Sequence, residues 1–168
     1  MGRAAYRPTR QLVYVVSIAL GVLVAASCSD RTSTAAGSGP GGRLSADDVA
    51  ALVDRYISAF NTRDRNAYIS LFADGATVED PLGSAPIQGA NQIGSFFDAA
   101  TSATLHLELE QDSIRVRGNH VAFRFQLELG AGQSQLATKP VDVVDLDDDG
   151  RIVSLVAYWK PADLRPVQ

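Results

Sequence analysis

Val121-Ala122-Phe123-Arg124-Phe125-Gln126-Leu127-Glu128-Leu129 decides how the rest of the chain reads. Its odd positions are apolar and its even positions are Ala, Arg, Gln and Glu, the period of two of a strand with one dry and one wet face. Just upstream, Leu105, Leu107 and Leu109 alternate with His106, Glu108 and Glu110. Downstream, two more strands are expected near Gln135–Leu146 and Ile152–Lys160, joined at Asp147-Asp148-Asp149-Gly150. Gly118-Asn119 and Gly130-Ala131-Gly132 supply turns. Farther upstream the period becomes helical. Ser45 is an N-cap with Asp47 and Asp48 in the first turn, and Val49, Leu52, Val53, Tyr56, Ile57 and Phe60 then form one apolar stripe. Asp64 caps a short second helix carrying Tyr68, Leu71 and Phe72. Ala76 to Glu79 reads as a short strand stopped by Pro81, and Ala90 to Ala100 as a third helix with Ile93, Phe96 and Phe97 apolar. Helices followed by hairpin-connected strands predict an α+β domain with an antiparallel sheet, one face of which covers the helices.

The chain has 168 residues, 46% hydrophobic and 20% charged, which excludes a disordered tail, a collagen-like fibre and a disulfide miniprotein. The first 27 residues hold three of the 15 cations and no acid, leaving 12 cations against 19 anions, a net −7. A body this acidic is a poor partner for nucleic acid, which is held by Lys and Arg. Arg3, Arg7 and Arg10 precede an uncharged run from Leu12 to Ala26, followed by Ser27 and Cys28, the one cysteine of the chain. That run falls short of the roughly 20 residues of a spanning helix and has the order of a secretory signal. With Cys28 at the cleavage point it resembles a bacterial lipoprotein signal, although Ala25 stands where Leu is usual. The resemblance implies export, acylation of Cys28 and anchoring at the outer face of the cytoplasmic membrane. Residues 28–43, rich in Gly, Ser and Thr, are then a flexible tether, and residues 44–168 the working domain.

Four residues of that domain stand out. Asp142 interrupts Pro140-Val141-Asp142-Val143-Val144. It is either inside with Val144 and Leu146, where a carboxylate must be paired or protonated, or on the wet face with Val141 and Val143 inside. Tyr56 lies in the apolar stripe, where its hydroxyl needs a partner whether it packs or reacts. Asp80 precedes Pro81, a common turn starter. Trp159 alternates with Val153, Leu155 and Ala157 and reads as core. Asp145, Asp147, Asp149 and Gly150 copy the opening of a calcium loop, but Val156 occupies the place of its closing glutamate, so a hairpin turn is expected. His106 and His120 lack metal-ligand spacing, and the sequence has no phosphate-cradling loop or nucleophile elbow, so neither metal nor cofactor is expected.

Together, Arg55-Tyr56-Ile57-Ser58-Ala59-Phe60-Asn61, the stretch Leu71-Phe72-Ala73-Asp74-Gly75-Ala76-Thr77-Val78-Glu79-Asp80-Pro81-Leu82-Gly83-Ser84, and Pro140-Val141-Asp142 resemble bacterial ketosteroid isomerase. That family lies within the SnoaL-like, nuclear transport factor 2-like superfamily. The likeness runs from about Asp47 to Trp159. It implies a cone-shaped fold, a curved sheet wrapped around about three N-terminal helices with an apolar pocket inside. It implies that Asp80 is the general base, that Tyr56 and a protonated Asp142 form the oxyanion hole, and that Trp159, Phe97 and Phe125 line the ligand pocket. The implied reaction moves a 3-oxo-Δ5 steroid to its conjugated Δ4 form without a cofactor. Relatives commonly pair as dimers through the sheet. Phe72 and Phe97 depart from the pattern, standing where some members carry tyrosines behind the oxyanion tyrosine. A sterol- or lipid-binding lipoprotein on the same fold would keep the pocket without the chemistry. An epoxide hydrolase of this fold would be expected to carry an Asp-Arg-Asp cluster, which the sequence does not present.

Overall fold

The chain of helix-forming segments begins at Ser45, whose hydroxyl accepts from the Asp48 amide while Asp48 reaches back to the Ser45 amide. This reciprocal cap starts helix α1, Ala46–Thr62, and satisfies donors that a helix end otherwise leaves open. The computed structural model describes residues 44–131 and 134–167; the expected signal segment, Cys28 and the tether lie outside them. Val49, Leu52, Val53, Tyr56, Ala59 and Phe60 form the buried face of α1. Arg63 ends it in the left-handed region, and Asp64 at once caps helix α2, Arg65–Ser70, by accepting from the Ala67 amide. Helix α3 spans Gly89–Ala100 and buries Ile93, Gly94 and Phe97.

Strands β1 (Phe72–Glu79) and β2 (Ile87–Gln88) flank the turn before α3. Then come β3 (Thr104–Leu109), β4 (Arg115–Arg117), β5 (His120–Ala131), β6 (Ser134–Thr138), β7 (Val141–Leu146), β8 (Ile152–Tyr158) and β9 (Arg165–Pro166). The sheet is curled but not closed, in the order β2-β1-β8-β7-β5-β6-β9. The twelve residues of β5 are its spine. Their first part pairs with β4 and β7, and their last part with β3 and β6, so one strand belongs to both halves of the curl. The α+β class and helix-filled, curved sheet expected from sequence are therefore present. Helix α1 lies against β3, and α3 against β1. The core between them holds Val49, Val53, Tyr68, Ile93, Phe97, Val121, Val144 and Leu155, each almost free of solvent.

Several expectations need correction. The sheet is not wholly antiparallel, because β1 runs parallel to β8; the long path through α3 and the hairpins supplies the crossover that such a pair requires. Strand β1 is longer than expected and takes in Phe72, while Leu71 is the end cap of α2. The single strand expected near Gln135–Leu146 is two, β6 and β7, divided around Pro140, which has no N–H for a ladder. Val153 does not share a face with Leu155 and Ala157. Ser154 pairs with Asp145 and Ile152 with Leu146, so Val153 is a bulge residue and is turned outward. Strand β8 ends at Tyr158, which leaves Trp159 beyond the ladder rather than in it.

Candidate active site

The alternation of β7 turns Asp142, Val144 and Leu146 inward, leaving Val141 and Val143 half-buried on the other face. Asp142 is 1% exposed and sits between Phe123 of β5 and Ala157 of β8 in the ladder. Of the two placements open from its sequence, the inner one is correct. Tyr56, from the middle of α1, donates its hydroxyl to Asp142 Oδ2 at 2.8 Å. The other oxygen, Oδ1, is buried without a hydrogen-bond partner. Aromatic rings enclose the pair: Phe60, Phe123 and Phe125 lie 5.3, 5.4 and 6.5 Å from the Tyr56 ring, centroid to centroid.

A carboxylate in such a place is expensive unless neutralised. Burial first, and then the charge of Asp80, push the Asp142 pKa well above the usual carboxylate range, against the opposing Tyr56 hydrogen bond. Burial likewise holds the Tyr56 phenol far above its ordinary value, with the charges of Asp142 and Asp80 acting in the same direction. Tyr56 therefore keeps its proton at neutral pH, and Asp142 is biased toward its protonated form, so two groups that burial drives toward their neutral forms meet in an apolar place.

Asp80 reaches this site from the turn after β1. Glu79 accepts from the Gly83 amide at 2.5 Å, and the Leu82 amide donates to the Ala157 carbonyl at 2.8 Å, fastening the turn to itself and to β8. Gly83 adopts φ +95°, a conformation suited to glycine. Trp159, just past β8, donates its indole N–H to Asp80 Oδ1 at 2.6 Å. Asp80 keeps partial contact with solvent, yet burial raises its pKa to about 6, and the Trp159 bond pulls the other way. It is thus mainly ionised at neutral pH while still basic enough to take a proton.

The structure brings Tyr56, Asp80, Asp142 and Trp159 together. Phe125 stands beside Tyr56 on β5. Phe97 lies deeper, stacked on Tyr68 with centroids 4.7 Å apart and 5.0 Å from Phe60. Sequence reasoning passed over Tyr68, treating it as one apolar residue of α2; its side chain is fully buried and its hydroxyl unpaired. A tyrosine amid phenylalanines was the available signal. The acidic turn after β7 is internally occupied: Asp147 Oδ1 accepts the Asp149 and Arg151 amides, and the Arg151 guanidinium lies 3.2 and 3.4 Å from the two carboxylates. Among the described residues no group of three His, Cys, Asp or Glu side chains is arranged to hold a metal.

The SnoaL-like domain family matches residues 53–155, which include Tyr56, Asp80 and Asp142. Steroid Delta-isomerase of Nocardioides simplex is 36% identical over 117 residues, covering 70% of this chain and 94% of that protein. Among solved structures, the epoxide hydrolase/cyclase-like enzyme SalBIII of pyran ring formation in the polyether salinomycin superposes with a TM-score of 0.66 at 23% identity, over 72% of this chain and 97% of that one. RV0760c from Mycobacterium tuberculosis gives 0.65 at 19% identity, over 74% and 100%. These two share the fold.

Proposed function

Because the chain belongs to the SnoaL-like family, and within it to the steroid Delta-isomerase group, it is an enzyme of the isomerase or cyclase kind, and we propose that it shifts the double bond of a 3-oxo-Δ5 steroid, or a similar flat apolar ketone, into conjugation. The observation that carries this reading is the hydrogen bond from Tyr56 to the fully buried Asp142, whose pKa burial drives upward, in a dry site that also holds an ionisable Asp80.

The Asp80 carboxylate removes a proton from the carbon between the carbonyl and the double bond. The electron pair released moves onto the carbonyl oxygen as a dienolate forms. Tyr56 and protonated Asp142 donate hydrogen bonds to that oxygen, where water exclusion makes each bond count for more. Asp80 then returns the same proton to the far end of the diene, and the electrons fall back as a conjugated enone. Nothing is oxidised or consumed, so the chemistry calls for no cofactor. Trp159 keeps the Asp80 oxygen in place through its N–H, and Phe125 supplies apolar wall beside Tyr56. Lipid anchoring through Cys28 would hold this activity outside the cytoplasmic membrane; palmitate labelling that survives Cys28→Ala would remove that part of the proposal.

The test is an ultraviolet assay of the purified full-length protein with androst-5-ene-3,17-dione. Conjugated-enone absorbance that appears with wild type and collapses in Asp80→Asn is the expected result. Saturable steroid binding without turnover would replace the enzyme by a sterol or lipid carrier.

A further inference from the structure

The last turn of α1 carries a side chain that the reaction above does not use. Asn61 donates from Nδ2 to the Leu107 carbonyl at 2.8 Å, and its Oδ1 accepts from the Leu107 amide, also at 2.8 Å. One side-chain amide thus serves both backbone groups of a strand residue, as a neighbouring strand would. Leu107 is the buried residue of β3 and lies opposite Leu127 of β5. Its two bonded groups face the side of β3 that pairs with no strand among the described residues. Just beyond, the Arg63 guanidinium reaches the Ala103 carbonyl at 3.5 Å, so the end of α1 is stitched along the edge of β3.

Elsewhere α1 presents apolar side chains to the sheet, with the Tyr56 ring against Phe123 and Phe125. Such packing holds a helix close, but it is non-directional and resists sliding weakly. A helix advances about 1.5 Å per residue, and the 2.8 Å bond from Tyr56 to Asp142 would not survive a slide of that size. The two-point grip of Asn61 is directional, and the frame it grips includes Asp142. Strand β3 pairs with β5 at Leu107 and Leu127, and β5 pairs with β7 at Phe123 and Asp142.

We infer that Asn61 is a positioning residue: it sets the height and roll of α1 on this ladder, and so the aim of the Tyr56 hydroxyl. Its part is greatest when Tyr56 turns its proton from Asp142 to a substrate oxygen. The bond to Asp142 is then given up, and the stitch at β3 remains to hold the helix. This inference rests on the reading of Tyr56 as an oxyanion donor.

The test compares full-length wild type with Asn61→Ala, Asn61→Asp, Tyr56→Phe and the two double variants. Turnover, gel-filtration size and fluorescence-detected binding of 2-naphthol, a flat phenol that mimics the dienolate, are measured for each. In Asn61→Ala, kcat is expected to fall about tenfold at nearly unchanged KM, a fraction of the hundredfold that a misplacement of about 1 Å can cost. Naphthol affinity falls by a similar factor, and both losses vanish in the Tyr56→Phe background because the effect passes through Tyr56. Asn61→Asp keeps the acceptor for the Leu107 amide but loses the donor, so it loses less. Thr62→Ala, in the same turn, removes a hydroxyl that bonds back to the Ser58 carbonyl and should match wild type. Wild-type turnover and naphthol affinity in Asn61→Ala would overturn the inference; if that variant also self-associated, Asn61 would be a cover for the β3 edge instead. Losses that persist without the Tyr56 hydroxyl, or an equal loss in Thr62→Ala, would overturn it as well. If Asn61→Ala does not fold, Asn61→Asp decides by the same comparison. If wild type binds naphthol but turns over no steroid, the isomerase reading fails while naphthol affinity still decides the role of Asn61. If it does neither, both fall.

Discussion

The site has a floor and a rim, and they handle the same functional group in opposite ways. At the floor, Asp142 projects from near the start of β7, a strand paired on both sides, with Tyr56 donating to it and aromatic rings around the pair. At the rim, Asp80 hangs from a turn, partly wet, and accepts the Trp159 N–H. Burial raises both pKa values, but the rim acid comes only to about 6, while the floor acid is pushed further by Asp80 itself. On the proposed reading, one carboxyl is left free to take protons and the other is biased toward donating one. The lesson is that depth, together with the sign of the nearest charge, assigns roles that residue type alone does not.

Removing the rim carboxylate should produce the largest effect. Asp80→Asn is expected to lower kcat by about 10³-fold, the usual scale of a positioned general base, with steroid binding retained by equilibrium titration. At the floor, Tyr56→Phe should cost about 10²-fold in kcat, and Asp142→Asn less than Asp142→Ala, because an amide still donates. Equal losses from Asn and Ala at position 142 would mean that Asp142 acts by something other than hydrogen-bond donation.

The two regions also separate by pH. Below about pH 6, kcat/KM should fall about tenfold per unit as Asp80 is protonated, and Asp80→Asn should flatten the limb. Stability should move the other way. Because the Asp80 pKa in the folded state lies above its ordinary 3.8, the folded protein holds the extra proton, and this contribution is full below about pH 4 and lost as pH rises through 6. Denaturant titrations of wild type against Asp80→Asn should therefore diverge by up to about 3 kcal/mol between pH 4 and pH 7, the wild type losing ground. The smallest expected change belongs to Trp159→Phe. Loss of the indole N–H removes the one bond that lowers the Asp80 pKa, so the acid limb of the rate profile should move to higher pH at nearly unchanged plateau. A limb that stays in place would detach Trp159 from the base.

Much of this was legible in the chain because it depends on near neighbours. Ser45 and Asp48 form the cap that their spacing announces, and the stripe from Val49 to Phe60 is the buried face of α1. The alternation of Val121, Phe123 and Phe125 survives intact in β5. Asp142 was conspicuous as an acid among valines, but its face was not decided by that pattern, since a strand of valines reads the same from either side. Val153 was misplaced because a bulge shifts the parity at the start of β8, and bulges carry no local signature there, while Trp159 lies outside the ladder because β8 ends at Tyr158.

By itself, the sequence determined the helices, the long alternating strands, the turn at Asp80-Pro81 and the kinds of group available for chemistry. Each follows from sterics, capping and periodicity within a few residues. Only the tertiary structure decided which groups meet. Tyr56 reaches Asp142 across 86 positions, Trp159 reaches Asp80 across 79, and β1 lies parallel to a strand formed more than seventy residues later. Those meetings depend on register and closure across the whole curl, and so does the raised pKa that gives each acid its part, because burial belongs to the assembled interior and to no single segment.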